Sequence, residues 1–251
     1  MRQIFIGSIQ QEGTDEKRRK IVKTSHVVQV IVFALLLIVP ICVKKIFRPV
    51  TGLSPVAKVI TMNGSQGSAI LIQGNYLLTA AHVVEGMVMN EVCDVEFQNP
   101  NEPNQSILAE AELVSKGKYA VNLSNVDEDF ALLHIRSLDA TKYVTPCAFA
   151  NVKGAKVGDE VAVEGFPAGV YSKTFGTINN VAGGILNDKN IFVVSAKAWH
   201  GNSGGALLNA SGQLLGIVTN IGIIEGFNDE QTIVLKIDYV KDALIKKGFQ
   251  L

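Results

Sequence analysis

The chain has three cysteines in 251 residues, too few for a disulfide framework. Cys42 falls in an apolar run, which leaves Cys93 and Cys147 as the one conceivable pair. Two unpaired, buried thiols are the expectation. No CxxC and no HExxH string occurs, so neither a metal site nor a cofactor is expected. Charge of one sign is also missing. The 23 Lys and Arg balance 23 Asp and Glu, which removes the basic surface that a nucleic-acid partner needs. No repeat of fixed period is present. No histidine follows Ser203, and the only aspartate ahead of His82 is Asp15.

What the chain does have is one long apolar run. Residues 27–43 read VVQVIVFALLLIVPICV. At 1.5 Å per residue they reach roughly 26 Å as a helix, close to the hydrocarbon thickness of a bilayer. A buried core helix is a poor alternative, because the run has no polar face and charges crowd both ends. Lys17, Arg18, Arg19, Lys20 and Lys23 precede it; Lys44, Lys45 and Arg48 follow it. The excess of positive charge on the N-terminal side places residues 1–24 in the cytoplasm and everything after Lys45 in the periplasm or outside the cell. Val43-Lys44-Lys45 offers no small-x-small cleavage site, so 25–45 is read as an uncleaved signal anchor. Residues 46–55, with Pro49, Gly52 and Pro55, read as a linker.

Residues 56–251 remain for the folded part, and strand signals dominate them. Ser68–Ile72 and Tyr76–Thr79 flank the turn Gln73-Gly74-Asn75. Further strands are expected at Phe130–Ile135, Val161–Glu164, Thr174–Val181 and Ile191–Ser195. Ala206–Leu208 and Gln213–Thr219 flank Asn209-Ala210-Ser211-Gly212, and Thr232–Ile237 is the last strand. Gln98–Gln105 reads as a polar surface loop. Asp238 then reads as the N-cap of a terminal helix over 238–248, with Val240, Leu244 and Ile245 on its apolar stripe and Gly248 at its end. Many short strands and one terminal helix argue an all-β fold.

Three short strings carry chemistry. Gly201-Asn202-Ser203-Gly204-Gly205 sets a serine hydroxyl on a glycine-rich loop whose N–H groups can face a developing oxyanion. Leu77-Leu78-Thr79-Ala80-Ala81-His82 delivers a histidine past the end of an apolar strand, where a neutral imidazole can take a proton. Asp129 stands at the mouth of Phe130-Ala131-Leu132-Leu133, where a shielded carboxylate can orient that imidazole. His200 is too close in sequence to Ser203 to approach it from the opposite side, and His134 lies on a strand face. The order of the three residues decides between known serine chemistries. An α/β-hydrolase serine needs its histidine downstream, and the subtilisin order needs an aspartate before the histidine. His, then Asp, then Ser is what remains.

These strings, with Gly67-Ser68, Gly158-Asp159-Glu160-Val161, Gly165-Phe166-Pro167 and Leu215-Gly216-Ile217-Val218-Thr219-Asn220, resemble the chymotrypsin-fold serine proteases. The nearer match is their bacterial HtrA/Deg-like branch. The resemblance implies two six-stranded β-barrels, about 56–140 and about 145–237, with the site in the cleft between them. It implies His82 as general base, Asp129 as its orienter, Ser203 as nucleophile, and the N–H groups of Gly201 and Ser203 as the oxyanion hole. Asn202 stands where trypsin-type enzymes carry the aspartate that pairs with a new N-terminus after zymogen cleavage, so no such activation is expected. HtrA proteins usually continue into a PDZ domain, which this sequence does not show. The stretch between His82 and Asp129 is long for that branch, which implies an extra loop near 96–125.

The reading is therefore a membrane-anchored serine endopeptidase that acts on protein or peptide substrates through an acyl-enzyme. The alternative is a catalytically silent peptide-binding or scaffolding module on the same fold. By resemblance, substrate backbone adds as a strand beside 219–221, and Lys197, six residues before Ser203, falls at the floor of the specificity pocket. A lysine there repels a cationic P1 side chain. It either selects an acidic P1 residue or turns to solvent, leaving a pocket walled by Ala198, Val218 and Leu235 beside Thr219 and Asn220. The second arrangement is favoured, since an ammonium is cheaper in water.

Overall fold

The computed structural model describes residues 52–118, 128–181, 190–224 and 227–251. Residues 1–24, the apolar run 27–43 and most of 46–55, expected to be a tail, a membrane span and a linker, lie outside them.

Twelve strands form two closed antiparallel barrels. The first contains β1 (Val56–Ile60), β2 (Gln66–Ile72), β3 (Tyr76–Thr79), β4 (Val92–Asn99), β5 (Glu102–Lys116) and β6 (Ala131–Ile135), in the spatial order β1-β2-β3-β6-β5-β4. The second contains β7 (Glu160–Gly165), β8 (Ser172–Asn180), β9 (Ile191–Val194), β10 (Ala206–Asn209), β11 (Leu214–Ile223) and β12 (Glu230–Lys236), in the order β10-β11-β12-β9-β8-β7. Helix α1 (Ile237–Lys246) follows.

Side-chain alternation explains why some strands are legible in the sequence and others are not. Ala69, Leu71, Leu77, Ala131 and Leu133 point into the interior of the first barrel. Their neighbours Ile70, Ile72, Leu78 and Leu132 point the other way and share one core with Phe166, Phe192 and Leu235 of the second barrel. Strands β2, β3 and β6 are thus buried on both faces and read as continuous apolar runs. β4 has one wet face. Cys93, Val95 and Phe97 are buried, while Asp94 is exposed. β1, β4 and β5 carry no comparable run, and the sequence reading does not mark them.

Turns follow from local chemistry. Between β2 and β3, Gly74 and Asn75 take φ of 73° and 62°, which glycine and asparagine tolerate best. Between β10 and β11, Asn209 Oδ1 accepts the N–H groups of Ser211 at 3.0 Å and Gln213 at 2.9 Å.

Several expectations are corrected. Gln98–Gln105 is not a surface loop but the tip of the β4–β5 hairpin, where Asn99 is buried, pairs with Glu102 and caps the turn through Asn101 N–H. The extra loop expected near 96–125 is mostly the long β4–β5 hairpin, and its residues 119–127 lie outside the described residues. α1 starts at Ile237, so Ile237 is helical and Lys236 is the N-cap, with no side-chain cap bond. Asp238 sits instead in the first turn, where its carboxylate meets the positive end of the helix dipole. Val240 and Leu244 are buried as expected, but Ile245 is half exposed. Cys93 and Cys147 are free and buried, and burial pushes the thiols up to about 12 and about 11.

Burial on both faces of β2 has a measurable consequence. Ile70→Ala and Leu71→Ala, facing opposite ways, should each cost about 2–5 kcal/mol in chemical denaturation. Leu108→Ala, on an exposed side chain of β5, should change stability by less than about 0.5 kcal/mol. A strand buried on one face only would be sensitive at just one of the two neighbours.

Candidate active site

His82 and Asp129 come from the first barrel. β3 ends at Thr79, and the chain turns at once into a short 3₁₀ segment, Ala81–Val84, that carries His82. Asp129 precedes β6 and is almost fully buried. It holds His82 at two points: Oδ1 accepts the backbone N–H at 3.0 Å, and Oδ2 meets ring Nδ1 at 2.8 Å. A carboxylate only accepts, so the Nδ1 contact places a proton on Nδ1 and leaves Nε2 as the basic nitrogen.

The end of β5 and the residue just past it seat this pair. Lys116 Nζ donates to the carbonyls of Glu85 at 2.9 Å and Met87 at 2.7 Å, just past the His82 turn. Next to it, Gly117 N–H donates to Phe130 O at 2.9 Å. A Cβ on Gly117 would stand 1.9 Å from Glu128 O, so only glycine allows the acid-bearing segment to approach.

Ser203 comes from the second barrel, on the turn before β10. Gly201 has φ of 102° and Gly204 of 81°, both left-handed. A Cβ on Gly204 would lie 2.1 Å from Ser68 O. The loop's own hydrogen bonds use the N–H groups of Asn202, Gly204 and Gly205. Among the described residues those of Gly201 and Ser203 have no protein acceptor.

The structure brings His82 and Ser203 together on one cleft of about 190 Å³. Val218, Thr219 and Asn220 line it, as the sequence reading expects, and so do Trp199, His200 and Ile221, which that reading does not select. His200 was set aside as a base for its closeness to Ser203, and that same closeness puts it in the cleft. The other expected residues are not among those that line this cavity. Ala198 and Leu235 are buried in the core. Lys197 is exposed, with Nζ donating to Glu230 O at 2.8 Å. A larger cavity of about 400 Å³, lined by residues such as Lys153, Phe192 and Asp242, holds none of the three chemical residues.

One edge of the cleft is open backbone. β10 pairs with β11 only as far as Ile217, whereas β12 accompanies β11 to Ile223. Among the described residues no strand covers the other edge of β11 from Thr219 onward. An extended peptide can add there through main-chain hydrogen bonds.

Comparison with known proteins agrees with this geometry. The family model described as trypsin-like peptidase domain matches residues 67–217. Among solved structures, the inactive form of the Rv3671c protease of M. tuberculosis is 27% identical, with 78% of this chain and 89% of that one covered and a TM-score of 0.55. The serine endoprotease from Yersinia pestis is 24% identical over 76% of this chain and 62% of its own, with a TM-score of 0.57. The HtrA-type protease AlgW, solved with a tripeptide, is 24% identical over 77% of this chain and 61% of its own, also at 0.57. The last two likenesses concern the fold, and this chain spans about three fifths of their length. The chain belongs to the trypsin-like peptidase domain family and is a serine endopeptidase.

Proposed function

We propose that the chain is a membrane-anchored endopeptidase that cleaves peptide bonds through an acyl-enzyme formed on Ser203. The observation that carries this reading is the two-point contact of Asp129 with His82, on a cleft that also holds Ser203. Ser203 Oγ attacks the scissile carbonyl carbon as His82 Nε2 takes its proton. Asp129 stabilises the resulting imidazolium and keeps the ring in one tautomer. The N–H groups of Gly201 and Ser203 receive the oxyanion. The intermediate collapses, His82 gives its proton to the leaving amine, and water then repeats the sequence in reverse order on the acyl-enzyme.

Substrate lies antiparallel to the open edge of β11 at 219–221. For P1, the tie between Lys197 and Glu230 O supports the arrangement in which the ammonium leaves the pocket. The side chain of Val218 then offers an apolar wall to a small aliphatic residue. The charge asymmetry around 27–43 supports a peptidase on the far side of the cytoplasmic membrane.

Ser203→Ala and His82→Ala should each lower turnover by about 10⁶-fold, and Asp129→Asn by about 10⁴-fold. Labelling with a fluorophosphonate checks this directly. The parent should label at Ser203 and Ser203→Ala should not; an unlabelled, well-folded parent would point to a silent binding module. A peptide-library profile should show Val, Ala or Leu at P1. Dominance of Arg or Lys would refute the pocket assignment, and dominance of Glu or Asp that is lost in Lys197→Ala would show the lysine inside it. An alkaline-phosphatase fusion after Leu251 should be active, and an inactive fusion would overturn the topology.

A further inference from the structure

The proposed chemistry needs two N–H groups aimed at one point. A trans peptide is planar, with its C=O opposed to its N–H, so each donor is aimed by whatever holds the carbonyl behind it. Asn202 O accepts from Gly205 N–H at 2.7 Å, which turns the Ser203 N–H to the other side. His200 O accepts from Ala168 N–H at 2.9 Å, which does the same for the Gly201 N–H. The second tie comes from a residue in an unfavourable conformation. Ala168 has φ of 50°, in the left-handed region that disfavours a residue with a Cβ.

Two further carbonyls of the motif, those of Gly201 and Ser203, run to one residue of the first barrel. Ser68 N–H donates to Ser203 O at 2.8 Å, and Ser68 Oγ donates to Gly201 O at 2.7 Å. The same Oγ accepts the N–H of Phe166 at 2.9 Å, at the root of the turn that carries Ala168. Ser68 is fully buried, and Thr79 Oγ1 holds its carbonyl at 2.7 Å. The loop has little hold of its own on this side. Asn202 stands where trypsin-type enzymes place a locking aspartate, and its buried Oδ1 has no partner among the described residues. A Cβ on Gly165 would meet both Asn202 Oδ1, at 2.5 Å, and Ser68 Oγ, at 2.9 Å, so the orphaned oxygen and the serine hydroxyl face the same glycine.

We propose that Ser68 is a positioning residue for the oxyanion hole: its hydroxyl bridges the Phe166 N–H and the Gly201 carbonyl, and so holds the turn whose Ala168 N–H aims the Gly201 donor. The proposal rests on Ser203 as nucleophile. Ser68 acts through Gly201 and touches no substrate. Without the hydroxyl, Phe166 N–H and Gly201 O are left without their partner, the left-handed turn relaxes, and the His200–Gly201 peptide rotates out of register.

The test compares Ser68→Ala with Thr79→Val in the full chain. Thr79→Val removes the hydrogen bond on the carbonyl of the same buried residue but leaves the hydroxyl bridge in place. Both should lower the thermal midpoint by similar amounts. Ser68→Ala should lose roughly ten- to hundredfold in kcat at a KM within about twofold, less than the 10²–10³ of a deleted oxyanion donor. Its affinity for a peptide boronate, whose tetrahedral adduct occupies the hole, should fall by the same factor, while Thr79→Val keeps kcat within about threefold. Equal kcat losses in the two variants, or full kcat in Ser68→Ala, would overturn the proposal. If Ser68→Ala does not fold, Ser68→Cys fills the space with a weak donor. It should show depressed kcat at unchanged KM, and parental kcat there would equally overturn the role. Fluorophosphonate labelling of the parent separates the two layers: a parent that fails to label removes the nucleophile assignment itself, whereas a labelling parent with an indifferent Ser68 removes only this inference.

Discussion

Asp129 spends both carboxylate oxygens on a single residue, one on the backbone and one on the ring of His82. A carboxylate with a side chain only 6% exposed is costly unless its acceptors are occupied. The site answers that cost by giving both oxygens N–H partners on His82. The arrangement constrains everything around it. The chain must turn sharply after β3 to present the N–H and the imidazole on one side, a glycine, Gly117, must follow β5 where the acid segment passes, and Lys116 must collect the carbonyls left at the end of the turn. The imidazole is thereby fixed within the first barrel, independently of Ser203.

A second buried carboxylate ties the barrels together. Glu164 of β7 accepts the Ser54 hydroxyl and pairs with Lys173 Nζ at 3.2 Å. It also lies near Tyr171 and Cys147, whose titrations are pushed up by burial first and by its charge second. Such a pair contributes little net stability over an apolar contact, because desolvation offsets the attraction. Its geometric effect is larger. Ser54 precedes β1, Glu164 pairs with Ala206 directly after the loop that carries Ser203, and the backbone of Glu164 leaves no space for a Cβ on Gly205.

The candidate site residues of this chain are more conspicuous in the sequence than several of its strands. His82, Asp129 and Ser203 stand out because each follows or precedes a run of small or apolar residues, and their order leaves one known arrangement. β2, β3 and β6 stand out because both of their faces are dry. β4 and the start of β5 escape notice because charged residues alternate with the buried ones, and because the polar tip around Asn99 satisfies its turn with side chains typical of loops. Lys197 shows a different limit. Counting back from Ser203 locates a position along the chain, but the carbonyl of Glu230, distant in sequence, decides where its ammonium goes. Ser68 was visible only as part of a motif, since its role depends on partners 98 and 133 residues away.

The two thiols of the folded part bear on how such a domain matures. Cys93 lies within the first barrel and Cys147 in the core shared with the second. Neither is bonded to the other, and burial keeps both protonated well above neutral pH. Thiolate is the species that attacks disulfides and takes up oxidants, so both side chains are chemically quiet once the barrels close. For these two residues the native state therefore asks nothing of the redox surroundings: no oxidase or isomerase has to join them, and a reductant has no cross-link between them to break.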